Sequence, residues 1–325
     1  MVAFCDLIEE KAIKAAKEYG TPDAKVYTDY QELLKDESID VVHVLTPNRM
    51  HAQISIDALH AGKHVMCEKP MAKTAEDARR MVAAAKESGK KLTIGYQHRH
   101  KPETQYLKQV IDSGELGEVY HVYASFRAFR SIPGLGGDFT TKAVAGGGSL
   151  IDWGVHYLDI VMYCCGDPTP LTVTGETFCK LGRDMENYAY KDMWAGPPKF
   201  DGTYDVDDSV TGMIRTAGPV ITFNGAWAQN IGEREMFIDF MGDKAGIRLQ
   251  YGADFTVYTA EHGALEQYTP EFKTRNHFEN EINAFLNCIE SGEKLPSHID
   301  TVVITAKMMQ AIYDSADQHH EITLA

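Results

Sequence analysis

Short apolar runs alternate with stretches of helical periodicity through the first third of the chain, the pattern of a parallel sheet covered by helices. Residues 2–5 read as a strand that ends at Asp6. Residues 8–19, rich in Lys, Glu and Ala, read as a helix stopped by Gly20 and Pro22. Residues 26–27 suggest a brief strand and 30–35 a short helix. The apolar run 41–45 predicts a buried strand, followed by a turn at Pro47 and Asn48 and a helix over about 50–60. Residues 64–66 continue the sheet, Thr74 caps a helix to about residue 89, and 92–94 give another strand. This is β-α repetition of the doubly wound kind.

The pattern then changes. After a helix near 102–113, the segments 117–127, 170–180, 206–216, 219–229, 234–241 and 245–259 are β-rich and separated by turn residues. They predict a large, mostly antiparallel sheet, with a domain change near residue 97. Between its first two strands lie a glycine run, residues 146–148, and a helix over about 152–164. Helices over about 276–290 and 299–316 close the chain. The fold class is therefore α/β joined to α+β, without internal repeats or low-complexity tracts.

One element of the doubly wound pattern is missing. In the strand order 3-2-1-4-5-6 the first strand is central, and its G-x-G-x-x-G turn holds a dinucleotide's pyrophosphate. This chain opens with what reads as the second strand, ending in the acidic residue that should follow that turn by about 20 residues. No G-x-G-x-x-G occurs in the sequence. Without the central strand, backbone on both sides of a gap is left unpaired. A strand-turn-helix unit of about 30 residues is therefore expected ahead of Met1. The alternative is a sheet that is truly incomplete, with an impaired cofactor site.

Bulk properties narrow the function without choosing it. A length of 325 residues suits two domains, and 44% hydrophobic with 24% charged residues is ordinary for a soluble protein. A net charge of -15 argues against nucleic acid as a partner, because a phosphate backbone needs a basic surface. No apolar stretch of about 18 residues predicts a membrane span. The N-terminus lacks the basic and apolar regions of a secretory signal. The six cysteines have no C-x-x-C pair and no disulfide-like spacing, so a reducing compartment, the cytoplasm, is expected.

Several residues at predicted strand ends have the right chemistry for catalysis or binding. Asp6 follows a strand, where a carboxylate can accept both ribose hydroxyls of NAD; a helix N-cap explains it equally well. A carboxylate there also repels a 2'-phosphate, and no Arg follows directly, which favours NAD over NADP. The segment from Thr46, Pro47 and Asn48 to His51 follows the strand 41–45, though a polar-capped turn accounts for it when taken alone. Glu68, Lys69 and Pro70 follow the next strand. A Pro there removes a backbone donor and is compatible with a cis bond, and Lys69 is presented at the cleft; taken singly it reads as a solvated lysine. Asp152 and His156, spaced i, i+4 behind the glycine run, share one face of a helix and can act together on a hydroxyl proton. The glycines permit close backbone approach to a ligand. A capped amphipathic helix with a satisfied histidine is the plain alternative.

Taken together, this order of motifs resembles the glucose-fructose oxidoreductase / inositol dehydrogenase / rhizopine-catabolism (Gfo/Idh/MocA) family. The resemblance covers nearly the whole chain from Asp6 onward. It implies an N-terminally incomplete NAD-binding Rossmann domain over 1–97 and a substrate-binding and oligomerisation domain over 98–325, assembled as homodimers or homotetramers. It implies that Lys69 orients the reacting hydroxyl, that His156 takes its proton, and that Asp152 holds substrate and imidazole. Thr46, Pro47, Asn48, His51, Glu68, Lys69 and, at the end of the last Rossmann strand, Gln97 would contact the cofactor. Trp153, beside Asp152, is expected to line the substrate pocket, and Trp227 to pack in the core.

The expected activity is NAD-dependent oxidation of a secondary hydroxyl on a sugar, glycoside or cyclitol, with C3 of a glycoside as a refinement. The long insert 182–203, rich in Tyr, Trp and Pro, would shape a pocket for a bulky aglycone. Two rivals remain on sequence grounds: an NAD-retaining enzyme that acts on glycosides through transient oxidation, and a non-catalytic sugar or NAD sensor. Metal binding is a weak rival, since His98 with His100 and His319 with His320 do not form a zinc-like ligand set.

Overall fold

The computed structural model describes residues 1–251, 255–273 and 276–324. Its first strands are short and apolar: β1 (Ala3–Cys5), β2 (Lys25–Tyr27), β3 (Val41–Val44), β4 (His64–Cys67) and β5 (Leu92–Ile94). The intervening helices are α1 (Glu9–Tyr19), α2 (Tyr30–Leu34), α3 (Asn48–His60) and α4 (Ala75–Ser88). Thr74 begins α4 because its hydroxyl accepts the Asp77 N–H, a cap worth about 1 kcal/mol. Gly89 ends the helix in the left-handed region, which costs glycine little.

All pairings among these five strands are parallel, but they form two sheets, β1-β2 and β3-β4-β5. The expected interruption is therefore real. β1 has no partner other than β2, and β3 none other than β4, among the described residues. The apolar residues just past their carboxyl ends, Leu7 and Leu45, are 89% and 66% exposed. By contrast β4, with strands on both sides, is buried along almost its whole length.

The second part begins with α5 (Pro102–Asp112) and β6 (Val119–Arg127), followed by α6 (Lys142–Ala145), α7 (Val155–Cys164) and β7 (Pro170–Phe178). Strands β8 (Ser209–Thr216), β9 (Val220–Ala226), β10 (Glu235–Gly242), β11 (Ala245–Gln250), β12 (Phe255–Glu261) and β13 (Ala264–Tyr268) come next. Helices α8 (His277–Ser291) and α9 (Ile299–Gln318) and the short β14 (Ile322–Thr323) complete it. The sheet runs β13-β12-β11-β10-β6-β9-β8-β7-β14, antiparallel throughout except for the parallel pair β6-β9. Along β6 and β10, Val122, Ala124, Phe126, Ile238 and Phe240 are buried against the core that includes α7, while Tyr123, Phe237 and Asp239 between them are half-exposed.

Three expectations need correction. The run 245–259 is two antiparallel strands, β11 and β12, and its residues 252–254 lie outside the described residues. Strands β13 and β14 were not anticipated. The helix expected to start at 152 instead starts earlier, as a π-type turn over Leu150–Gly154 that runs into α7.

The chain's end returns to the first part of the fold. Thr93 Oγ1 bonds Ser297, Lys86 pairs with Asp300, and α9 packs against both α4 and β5. A buried ion pair also lies at this junction. Arg99 donates to both carboxylate oxygens of Asp159, at 2.8 and 2.7 Å, and to the Pro296 carbonyl at 2.7 Å. Both partners are almost wholly buried, and the pair stays ionised because each charge is matched in place.

Candidate active site

The parallel strands deliver two loops to one place. β3 leads into Thr46, Pro47 and Asn48, and β4 into Glu68, Lys69 and Pro70, with the Lys69–Pro70 bond cis. His51 ties the loops together. Its Nδ1 lies 2.7 Å from the Pro70 carbonyl oxygen and its Nε2 2.8 Å from that of Thr46. The ring is buried, which pushes its pKa down, while the two carbonyls work against that shift. His51, expected as a cofactor contact, thus has both ring nitrogens engaged in joining the two loops that carry the site.

The second group arrives on the π-type turn. Val155 N–H bonds to Leu150 O five residues back, where a regular helix would bond four back. Such turns recur at functional sites because they re-aim side chains out of a helix. The start of the turn is held by Asp207. Its carboxylate accepts the Gly148 N–H at 2.7 Å, the Leu150 N–H at 2.9 Å, the Ser149 hydroxyl at 2.8 Å and the Tyr313 hydroxyl at 2.7 Å. A Cβ on Gly148 would fall 1.9 Å from the Asp207 carbonyl oxygen, and one on Gly147 2.0 Å from the Tyr313 hydroxyl. The glycine run was expected to admit a ligand. What presses on Gly147 and Gly148 is this clasp with Asp207 and Tyr313.

Lys69 crosses from the β4 loop to this turn. Its Nζ donates to the Asp152 carbonyl oxygen at 3.1 Å and to Asp152 Oδ1 at 3.2 Å. The other carboxylate oxygen, Oδ2, accepts the Trp227 indole N–H at 3.2 Å. Asp152 is therefore gripped through both oxygens by residues 83 and 75 positions away in sequence.

His156 lies one turn further along, buried, with Nδ1 lacking any hydrogen-bond partner. Burial pushes its pKa well below the ordinary imidazole value, and the charges of Lys69, His98 and Lys101 push the same way. The ring is thus neutral at physiological pH and competent to accept a proton. Its neighbours are His98, at 5.1 Å edge-on, and Tyr251, at 6.4 Å between ring centroids. The Tyr251 hydroxyl and His98 Nε2 stand 2.6 Å apart, and burial takes the His98 pKa down to about 3.

Lys69, Asp152 and Trp227 line one cleft of about 300 Å3, together with Leu45, Thr46, Asn48, His51, Glu68 and Pro70, and with Phe139 and Trp194 among the rest; His156, His98 and Tyr251 are not part of that lining. Most of the expected site residues are thus brought together. Asp6 is not among them; it follows β1, where its carboxylate accepts the Ile8 N–H at 2.8 Å, a local turn and not the helix N-cap that had been its alternative, since Ile8 caps α1 without a side-chain bond. Gln97 opens a short 3-10 turn beside His98, and Pro47 precedes α3. Trp153, expected in the pocket, packs instead between the main core and a smaller cluster, with Arg234 over its ring. Trp227 is buried as expected, but it also reaches the cleft through Asp152. Asp207, Tyr251 and the Trp227 bond to Asp152 were missed because nothing near them in sequence points to the partners they meet. Among the described residues, no group of three or more His, Cys, Asp or Glu is placed to hold a metal ion.

Comparison with known proteins identifies the family and the fold. Residues 1–96 match an oxidoreductase family model with an NAD-binding Rossmann fold, and residues 104–248 match a GFO/IDH/MocA C-terminal domain. The D-glucoside 3-dehydrogenase of Escherichia coli K12 is 36% identical over 329 residues, spanning all of this chain and 90% of that protein. An inositol 2-dehydrogenase of Salmonella typhimurium LT2 is 37% identical over 134 residues, 41% of this chain and 40% of that protein. A levoglucosan dehydrogenase solved with NADH and levoglucosan superposes with a TM-score of 0.86. It covers 99% of this chain and 89% of that one at 22% identity, a likeness of fold.

Proposed function

Because the chain belongs to the GFO/IDH/MocA family of oxidoreductases, we propose that it oxidises a secondary hydroxyl of a glycoside with NAD, at C3 of a D-glucoside. The observation that carries the proposal is the Lys69–Asp152 pair at the cleft, with a neutral His156 one turn away. The substrate class follows the glucoside dehydrogenase that aligns with the whole chain.

The residues present fit NAD on grounds of their own. Thr46 Oγ1 is buried at the cleft wall with no partner, and a buried hydroxyl in that state calls for one from a bound molecule. Thr46, Asn48 and Glu68 would hold the nicotinamide end where the carboxyl ends of β3 and β4 open, the place where doubly wound sheets bind ligands. His51 lines that wall, Pro47 precedes α3 beside it, and Gln97 and Asp6 remain proposed cofactor contacts, Asp6 at the ribose. When bound, NAD supplies the hydride acceptor.

The chain's own residues do the rest. Lys69 donates a hydrogen bond to the reacting hydroxyl and stabilises the negative charge that develops on its oxygen. His156 accepts the hydroxyl proton, which its neutral state permits. Asp152, fixed by Lys69 and Trp227, holds a second hydroxyl and orients the imidazole. The enzyme acts in the cytoplasm, and no helix among the described residues is long and apolar enough to cross a membrane. It assembles as a homodimer or homotetramer through the open face of the nine-stranded sheet, where Tyr123 and Phe237 sit half-exposed with ring centroids 5.8 Å apart. The division into domains falls near residue 97.

Purified protein incubated with NAD and a panel of glycosides and inositols forms NADH in a substrate-dependent way if this is right. His156→Ala and Lys69→Met each lower turnover far more than NAD affinity. Near-normal turnover in either variant removes the role given to that residue.

A further inference from the structure

The insert between β7 and β8 is well anchored, yet it leaves a large aromatic residue in water. Three successive N–H groups, of Lys180, Leu181 and Gly182, converge on one carboxylate oxygen of Asp208 at 2.7, 2.5 and 3.0 Å. Further along, Ala195 N–H bonds the Pro133 carbonyl and Lys199 N–H the Leu135 carbonyl, each at 2.9 Å. Beneath lies a separate apolar cluster of Ile132, Leu135, Tyr188, Val206, Trp227 and Ala228, with Met193 packed against it. A segment secured in this way has the means to bury its aromatic residues. Tyr188 and Tyr204 are largely buried and Tyr190 and Phe200 are 42% and 52% exposed, while Trp194, next to Met193, is the most exposed of the insert's aromatic residues at 69%.

Trp194 is exposed at a particular place. It lines the same cleft as Lys69 and Asp152, and its ring meets Phe139 edge-on with centroids 4.9 Å apart. Phe139 comes from the 3-10 turn Asp138–Thr140, which Thr140 Oγ1 ties to the insert through the Thr203 carbonyl at 2.9 Å. The two aromatic residues therefore belong to one braced wall. With Leu45 and Ala145 they supply apolar lining, whereas Lys69 and Asp152 supply the polar lining beyond the Thr46, Asn48 and Glu68 assigned to the nicotinamide. A ligand matched to this cleft has a hydroxyl-rich ring for the polar part and an apolar ring for the aromatic part.

We propose that Trp194 and Phe139 form a subsite that stacks an aromatic aglycone, making aryl glycosides the preferred substrates. The inference rests on the glycoside dehydrogenase reading above and adds to it the residue that selects the aglycone. Stacking on an exposed indole excludes water from both faces in contact and is favourable by an amount that corresponds to roughly ten-fold in affinity.

The test compares methyl β-D-glucoside with phenyl β-D-glucoside in the wild type, Trp194→Ala and Trp194→Phe, with thermal melting as a check on folding. The wild type is expected to favour the phenyl glucoside in kcat/KM by roughly ten-fold. Trp194→Ala abolishes that preference through KM and leaves the methyl glucoside unchanged, and Trp194→Phe restores most of it. An equal loss for both glucosides, or no loss for either, overturns the proposal. So does a raised KM for NAD with the glucoside parameters unchanged, which would assign the wall to the dinucleotide. If neither glucoside is oxidised, the proposed reaction fails, and the subsite is judged by titrating phenyl β-D-glucoside calorimetrically into wild type and Trp194→Ala in the presence of NAD. Binding weakened by Trp194→Ala supports the subsite, and equal or absent binding refutes it.

Discussion

Trp227→Phe isolates the grip on Asp152. Trp227 is 1% exposed, and its indole N–H is the donor to Asp152 Oδ2 at 3.2 Å, while Lys69 holds Oδ1. Phenylalanine keeps an aromatic ring in the cluster but removes that donor. A hydrogen bond to a charged group contributes about 1.5–3 kcal/mol, which becomes roughly 10- to 150-fold in rate if all of it is realised in the transition state. Lys69 still fixes the other oxygen, so the lower end of that range, about ten-fold in kcat/KM, is expected. The smaller ring also leaves a gap that lowers stability by about 1–2 kcal/mol. Steady-state NADH formation reads the first effect, urea denaturation the second, and calorimetric NAD titration, expected to be unchanged, separates orientation from cofactor binding. Wild-type kcat/KM in a variant that shows the stability loss would refute the idea that Trp227 orients Asp152.

Three further outcomes follow from charges in buried places. Burial, then Glu68 and Asp159, raises the Glu281 pKa from 4.5 to about 8, so its stabilising protonated form is lost as pH rises through 8. Glu281→Gln is expected to gain on the wild type between pH 4.5 and pH 8 by up to about 5 kcal/mol in urea denaturation, and a pH-independent difference contradicts this. Arg99→Met strands the Asp159 carboxylate in the core and costs about 3–5 kcal/mol, whereas a loss below about 1 kcal/mol shows that the pair is dispensable. Because the His156 pKa is lowered and the neutral ring is the active form, kcat/KM stays flat as pH falls through 6.5 and drops only below it. An acid limb at or above 6.5 speaks against His156 as the base.

Much of the fold was written in local pattern. The parallel strands are short, apolar and separated by capped helices, so periodicity and residues such as Thr74 and Gly89 locate them to within a residue or two. The break between β1-β2 and β3-β4-β5 was legible too, because the expected glycine turn and the strand before it are not in the sequence. Strands β11 and β12 were merged because Gly252 and Asp254 within the run 245–259 were not read as a turn between two strands. The π-type turn left no trace, since a shift from four-back to five-back bonding follows from packing around Leu150 and Asp207 and not from composition.

The candidate site divides along the same line. Lys69, Asp152 and His156 stand at strand and helix ends that pattern can find, and the structure brings Lys69 and Asp152 into contact. Their supports lie far off in sequence. Asp207 and Asp208 look like two surface carboxylates, yet one clasps the turn before Asp152 and the other anchors the insert. Trp227 looks like core, and it is; only the fold shows where its N–H points. Trp153 looked like pocket because it is adjacent to Asp152, but on a helical turn adjacent residues face different ways.

The central claim is hydride transfer from a sugar carbon to NAD under the control of Lys69 and His156. Its most direct test is to mix the protein with NAD and a D-glucoside deuterated at C3, then follow the label by NMR. Deuterium is expected in the reduced nicotinamide, one equivalent for each 3-keto glucoside formed, with no transfer in His156→Ala. Unlabelled NADH, or none at all when calorimetry shows NAD and glucoside both bound, would contradict it.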